Sequence, residues 1–294
     1  MFSLFLISYK NMEKIGVFGL GDMGAAITHR LLKKNFEVIS TKRGRYMDFI
    51  ENNLFSVMSN PCEVGANADI IIFCVDTIEN LNKIIFSENG GLISSKKLPK
   101  YFLDLGTGKP SNCIDISNQF LKQDKIYIDM PIGRTPAHAR EGKLNLFISA
   151  KKDELNECIQ IIQTISENQF YLDKIGEGTK IKLINNFYGQ AVTLIFGQLL
   201  QVANDQNIEI NNLVNVMSAG PLFSDILNAI KPYYENDNKG AMEFSINNAY
   251  KDLIYYKEEF GTNELINEVI KYFEKAIGNG FGAKSVAEVS KYAN

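Results

Sequence analysis

The sequence is poor in the residues that most often carry metal, thiol or general-base chemistry. Two histidines occur in 294 residues. His29 falls on a helix just past a glycine turn and reads as structural. His138 falls in "GRTPAHAREG", which reads as a loop, and fits a surface histidine better than a base. Four cysteines, Cys62, Cys74, Cys113 and Cys158, are scattered with no CxxC pair. A metal site or a disulfide frame is therefore not expected, and a reducing cytoplasm fits best. The net charge is only −3, which gives no electrostatic reason to expect a nucleic-acid partner. Long apolar runs are missing too. The opening "MFSLFLISYKNMEK" is too short to span a bilayer. Its lysines, Lys10 and Lys14, follow the apolar run, so it is a poor signal peptide. We read residues 1–11 as an N-terminal extension ahead of a domain beginning at Met12, with no membrane partner expected.

What is present is an ordinary globular composition, 45% apolar and 22% charged, long enough for two medium domains. "KIGVF", "FEVIS", "DIIIFCV", "YFLDL" and "KIYIDM" are short, near-continuous apolar runs separated by polar or helical stretches. That pattern predicts a parallel sheet with crossover helices and both faces covered. "LNLFISA" at 144–150 adds a further strand, and "DELNECIQIIQTI" reads as a helix. From about Gly176 the texture becomes helical throughout, with one long helix predicted over 179–205. The expected organisation is an α/β nucleotide-binding domain over 12–175 and an all-helical substrate and oligomerisation domain over 176–294.

"GVFGLGDMG" carries Gly19-x-Gly21-x-x-Gly24 between a strand and a helix, the context in which this weak pattern gains meaning. Gly19 permits a tight turn, Gly21 lets backbone approach a pyrophosphate, and Gly24 lets helix and strand pack closely. With Leu20, Asp22 and Met23 they form the expected dinucleotide turn, whose amides bind phosphate. The acid that would meet the NAD ribose about 20 positions on is absent. "ISTKRGR" places Thr41, Lys42, Arg43 and Arg45 there instead. Lys42 and Arg43 suit a 2′-phosphate, so NADP is expected over NAD.

"GTKIKLINNFYGQ" places two lysines and two asparagines inside the predicted long helix. Lys182 has Asn185 and Asn186 three and four positions on, so the three share one face. Lys180 has Leu183 and Ile184 at those spacings and is expected to be the solvated lysine. A lysine in a dry pocket has a lowered pKa and can serve as general acid or base. Lys182 is therefore the catalytic candidate, and the asparagines would hold a substrate. The alternative is that these residues cap or cross-link helices.

These segments together resemble the β-hydroxyacid dehydrogenases, the group of 3-hydroxyisobutyrate, 6-phosphogluconate and tartronate semialdehyde enzymes. "GVFGLGDMG" is similar to the family's GxxGLGxMG. "DLGTGKP" at 104–110 is similar to DxSTxxP. "DMPIGRTPAHAREGKLNLFISA" at 129–150 is similar to DAPVSGGxxGAxxGxLxxxxGG. "GEGTKIKLINN" at 176–186 is similar to GxGxxxKxxxN, and "KDL" follows at 251–253. The resemblance implies a Rossmann domain followed by an all-α, 6-phosphogluconate dehydrogenase-like C-terminal domain. It implies NAD(P)-dependent oxidation of a 3-hydroxyacid, or reduction of the matching aldehyde, by a homodimer or homotetramer. Lys182 falls on the family's catalytic lysine and Asn186 on its substrate-binding partner. Thr107 falls beside the nicotinamide, and Lys251 on a lysine that closes over the cofactor.

Three departures bear on substrate. The DxST serine is Gly106, "SGG" is Gly133-Arg134-Thr135, and Lys284 replaces the usual late aspartate. "PIGRT" with "KLINN" resembles the 3-sulfolactaldehyde reductases, which also reduce succinic semialdehyde. By that resemblance Gly133, Arg134, Thr135, Asn185 and Asn186 grip a sulfonate or carboxylate. Arginine's planar fork suits such oxoanions. That subgroup would suggest NADH where Lys42 and Arg43 suggest NADPH. The other readings are a 3-hydroxyisobutyrate dehydrogenase proper and a non-catalytic dinucleotide-binding module.

Overall fold

The computed structural model describes residues 13–221, 224–235 and 242–293. The opening segment read above as an extension lies outside them. The chain divides into two compact units, the first ending at Lys180 and the second beginning at Ile181.

The first unit is built on a six-stranded sheet. Its strands are β1 (Lys14–Phe18), β2 (Glu37–Thr41), β3 (Phe55–Met58), β4 (Ile70–Phe73), β5 (Tyr101–Asp104) and β6 (Ile126–Asp129), ordered β3-β2-β1-β4-β5-β6. Every pairing is parallel. The crossovers carry α1 (Asp22–Lys33), α2 (Pro61–Asn67), α3 (Ile78–Phe86) and α4 (Pro110–Leu121). Side chains alternate between the two faces of each strand. Ile70 and Ile72 of β4 join a core with Ala26, Ile27 and Leu31 of α1. Ile71 and Phe73 of the same strand join the opposite core with Leu81 and Ile85 of α3 and Phe120 of α4. Two buried faces explain why the strands are apolar throughout.

A small second sheet follows: β7 (Ile132–Gly133), β8 (Leu144–Ile148) and β9 (Ser166–Tyr171), with α5 (Pro136–Glu141) and α6 (Ile159–Ile165) between them. The segment around His138, expected as a loop, is the helix α5. Pro136 at its first turn supplies a preset φ and Gly142 closes it in a left-handed conformation. Strands β3 and β9 escape the hydrophobic pattern because "FSVM" is short and "SENQFY" is largely polar.

Helix α7 (Glu177–Asp205) is 29 residues long and contains the boundary between the units. The second unit continues through α8 (Ile210–Ser218), α9 (Asp225–Ile230), α10 (Pro232–Glu235), α11 (Ile246–Phe260), α12 (Glu264–Gly278) and α13 (Val289–Tyr292). Among its described residues there is no strand longer than an isolated Ser245–Ser285 bridge. Helices α11 and α12 bury Leu253, Ile266, Ile270 and Phe273 against Ala191 and Leu194 of α7. Phe196 and Leu200 pack with α8 to α10 in a second cluster. No helix among the described residues is long and apolar enough to cross a membrane.

Candidate active site

The glycine turn has a distinct physical reason at each glycine. Gly19 has φ +92°, and a Cβ there would meet the Cys74 carbonyl oxygen at 2.2 Å. A Cβ on Gly24 would lie 1.8 Å from the Gly19 carbonyl oxygen, so α1 can start this close to β1 only with glycine. A Cβ on Gly21 would meet nothing within 4 Å. That open backbone, with no side-chain cap on α1, leaves first-turn amides for an outside anion. A dinucleotide fits this turn.

The β2 loop folds back onto it. Arg45 N–H donates to the Leu20 carbonyl at 2.7 Å. The Arg45 side chain is held by Asp48 at 2.7 Å and Asp22 at 3.1 Å. Lys42 and Arg43 are exposed, and no side-chain partner among the described residues holds either. Of the cations in "TKRGR", these two are the ones left to meet a ligand. Further along the sheet, a recess at the ends of β4 and β5 is lined by Val75, Thr77, Asp104, Gly106 and Thr107. Asp104 accepts from Gly106 N–H at 2.9 Å and from the buried Tyr127 hydroxyl, which fixes the floor beneath Thr107. Cys74 nearby is a poor nucleophile, since burial and Asp104 push its thiol up to about 12.

Arg134 follows β7 directly, in the bend before α5, with φ +78°. A non-glycine residue there costs about 1–2 kcal/mol. It occupies the middle of the segment that resembles a serine–glycine–glycine, where glycine bears no such penalty. Its Nη1 donates to the Lys143 carbonyl at 2.7 Å and to Glu167 Oε2 at 2.5 Å. Both bonds use Nη1, and Nε and Nη2 have no bond among the described residues. The guanidinium is thus clamped at one corner and leaves one edge of its fork available. The Thr135 hydroxyl is shared with His138 Nδ1 at 2.8 Å. Gly133 lies on β7, paired with Asn145.

The start of α7 is held by a buried carboxylate. Asp129, 1% exposed, accepts from Gly176 N–H at 2.7 Å, Thr179 N–H at 3.0 Å and the Thr179 hydroxyl at 2.7 Å. Ser149 Oγ accepts from Gly178 N–H at 2.7 Å. These bonds satisfy donors that a helix N-terminus otherwise leaves unpaired, and the negative charge suits the positive end of the helix dipole.

Past the boundary between the units, Leu183 is buried, Ile184 is exposed, and Lys182 and Asn186 are half-buried. Lys180 is in the exposed class, at the last position of the first unit. Asn185 is also exposed, so the polar face is less dry than the pattern suggests. Asn186 Nδ2 donates to Asp252 Oδ2 at 2.7 Å. Asp252 is 3% exposed and its Oδ1 lies 3.2 Å from Lys251 Nζ. Lys251 also stands over the Tyr255 ring at 5.3 Å. Lys182 has its pKa lowered, first by burial and further by Lys251, with Asp252 opposing. An ammonium already short of solvent gives up its proton more readily than an ordinary lysine. Lys182, Asn186, Lys251 and Asp252 therefore form one coupled group.

A family model, the NAD binding domain of 6-phosphogluconate dehydrogenase, matches residues 14–173, more than half of the chain. The chain belongs to this family. It is 27% identical over 216 residues to the cytokine-like nuclear factor N-PAC of Drosophila pseudoobscura pseudoobscura, covering 72% of this chain and 35% of that protein. It is 22% identical over 242 residues to glyoxylate/succinic semialdehyde reductase 1 of Arabidopsis thaliana, covering 82% and 83%. The chain thus spans about a third of the N-PAC relative and over four-fifths of the plant one. Mycobacterium tuberculosis 3-hydroxyisobutyrate dehydrogenase, solved with L-serine, superposes with a TM-score of 0.81 at 17% identity, over 95% of this chain and 98% of that one. At that identity the likeness speaks for the fold, a Rossmann-like unit followed by a helical one.

Within this family frame, four residues escape a reading of the sequence alone. Asp252 is the second letter of "KDL", beside Lys251, and nothing in that segment signals that it partners Asn186, 66 residues away. Asp129 opens "DMPIGRT" but carries no local hint that it holds a helix 47 residues away. Glu167 is one acid in a polar strand. Gln190 ends "GTKIKLINNFYGQ" with no local signal of its burial, yet it is 4% exposed.

Proposed function

We propose that the protein is an NAD(P)-dependent oxidoreductase of the β-hydroxyacid dehydrogenase type. It reduces a short aldehyde bearing a sulfonate or carboxylate, 3-sulfolactaldehyde or succinic semialdehyde, or oxidises the matching hydroxyacid. The observation that carries this reading is Lys182, a half-buried lysine whose pKa is lowered by burial, beside a bonded Asn186–Asp252 pair. A purely structural lysine gains nothing from losing its solvent, whereas a proton donor does.

The nucleotide would lie on Gly19 to Gly24, with Thr107 near its reactive ring, and the family resemblance makes Lys251 a further cofactor-binding candidate. When bound, the nicotinamide supplies or takes the hydride. Lys182 gives its proton to the developing alkoxide in reduction and takes it back in oxidation. Asn186, oriented by Asp252, holds the reacting oxygen or its neighbour. The free edge of Arg134, with Thr135 and Gly133, suits the acid group through bidentate bonds, and Asn185 is a further candidate for the substrate. Lys42 and Arg43 favour NADP, with NAD possible, because a 2′-phosphate needs cations and no acid competes. A row of exposed apolar residues on α7, including Ile184, Tyr188, Ile195, Leu199 and Val202, recurs at helical spacing and supports a homodimer or homotetramer.

The test is a panel of acid-bearing aldehydes and hydroxyacids assayed with each nicotinamide cofactor. Turnover of the acid-bearing members, lost in Lys182→Met while NADPH still binds, is expected. Full activity in Lys182→Met sinks the mechanism. A second reading, a non-catalytic dinucleotide-binding module, draws on the relative named a nuclear factor. Tight NADPH binding with no turnover on any member of the panel favours it.

A further inference from the structure

The helical unit contains a cavity of about 190 Å³, far above the ~10–15 Å³ that one water needs. Asn185, Asn186, Gln190 and Thr193 of α7 line it, with apolar Met242 and Phe244 among the remaining walls. Asn186 and Gln190 are four apart and so stacked on one helix face. Gln190 is 4% exposed, and neither its Oε1 nor its Nε2 has a hydrogen-bond partner among the described residues. A buried amide left this way costs on the order of 1–3 kcal/mol for each unmade bond. Such groups in a folded protein call for an explanation, and a ligand is one.

We infer that Gln190 is a specificity-determining residue, which reads a neutral hydrogen-bonding group, a hydroxyl or a primary amide, at the end of the substrate remote from the reacting carbon. The inference rests on the function proposed above and narrows its substrate class. The chemistry of the lining selects the group. No ionisable side chain lines the cavity among the described residues, so a charged end would lose its hydration with no counter-charge to replace it. An alkyl end would fill the apolar walls but leave both amide atoms of Gln190 unpaired. A hydroxyl or primary amide donates to Oε1 and accepts from Nε2, and satisfies both. Gln190 lies two turns beyond Lys182, roughly 12 Å along the helix axis at 1.5 Å per residue. The substrate is therefore a short acid-bearing chain whose end remote from the reacting carbonyl or carbinol carries a neutral polar group, which within the proposed class disfavours succinic semialdehyde, whose remote end is its carboxylate.

Two series of chain-matched hydroxyacids, ending in hydroxyl or amide and in methyl, test this with the whole protein. Equilibrium binding is measured by calorimetry in the presence of NADPH, and turnover separately. Wild type is expected to bind the polar-ended series at least tenfold tighter than the methyl-ended one. Gln190→Leu, close in volume, should collapse or invert that ratio and raise the melting temperature of the ligand-free protein. Gln190→Glu should weaken both series. A ratio unchanged in Gln190→Leu overturns the inference, as does wild type that binds both series equally, the result expected if the cavity holds only water. Binding that depends on Gln190 without turnover of any compound would leave this inference standing and remove the proposed activity. Turnover with no dependence on Gln190 would do the reverse.

Discussion

Replacing Asp129 should unfasten the start of the helix that carries Lys182. The carboxylate accepts three hydrogen bonds, from Gly176 N–H, Thr179 N–H and the Thr179 hydroxyl, at 2.7–3.0 Å, and is 1% exposed. In Asp129→Ala three buried donors lose their acceptor. At about 1–3 kcal/mol each, and taking the lower end because the smaller side chain admits water, the loss is about 3–4 kcal/mol. A unit of this size shifts by ~2–4 °C per kcal/mol, so the melting temperature should fall by about 6–16 °C. Asp129→Asn keeps one oxygen but turns an NH2 toward a donor and removes the charge that faces the helix dipole. It should fall between wild type and alanine. Ser149→Ala removes a single acceptor, that of Gly178 N–H, and should cost only ~1 kcal/mol. The sequence has no tryptophan, so circular dichroism at the helix band is the suitable readout. If Asp129→Ala melts within about 2 °C of wild type, the carboxylate does not anchor α7 and the reasoning fails.

The pH dependence of turnover follows from Lys182. Its folded pKa is lowered, so reduction, which needs the ammonium, should decline as pH rises through a value below the ordinary lysine range, and oxidation should rise over the same window. Stability carries the same sign: the unfolded lysine binds the proton more tightly, so wild type gains stability between the lowered pKa and the ordinary one, and Lys182→Met should abolish that slope in pH-dependent melts. Gly24→Ala puts a Cβ where the Gly19 carbonyl stands, so NADPH affinity measured by fluorescence titration should drop at least tenfold. Lys42→Glu with Arg43→Glu should reduce kcat/KM for NADPH far more than for NADH, and an unchanged ratio refutes the 2′-phosphate assignment. Val202→Glu, in the exposed apolar row of α7, should lower the mass found by sedimentation if that row joins copies of the chain.

The sheet was legible because each strand of the central four is apolar on both faces, a signal that survives without any tertiary knowledge. The glycine turn was legible for a similar reason: Gly19 and Gly24 answer to backbone contacts within five residues or to the adjacent strand, and sequence spacing encodes those directly. Strands β3 and β9 were not, since a four-residue strand and a polar edge strand owe their form to neighbours that pair with them. The same division runs through the site. Lys182 and Asn186 announce themselves by helical spacing. The partners that give them character, Asp252 for Asn186 and Asp129 for the helix start, lie 66 and 47 residues away from the groups they bind. No periodicity in one segment can report such a pairing.

Arg134 shows how a departure from the glycine-rich pattern becomes chemistry. An arginine in the left-handed region is a strained choice, and strain of that kind persists only where surrounding bonds over-determine it. Here the Lys143 carbonyl and Glu167 supply those bonds, and both fall on Nη1. An exposed ion pair of this sort is worth at most about 1 kcal/mol, less than or equal to the backbone cost of about 1–2 kcal/mol. Stability alone therefore does not favour the arginine over glycine. What the arrangement yields is orientation: one corner of the guanidinium is fixed, and under the function proposed above the Nε–Nη2 edge would meet an oxoanion with its entropy of ordering already spent.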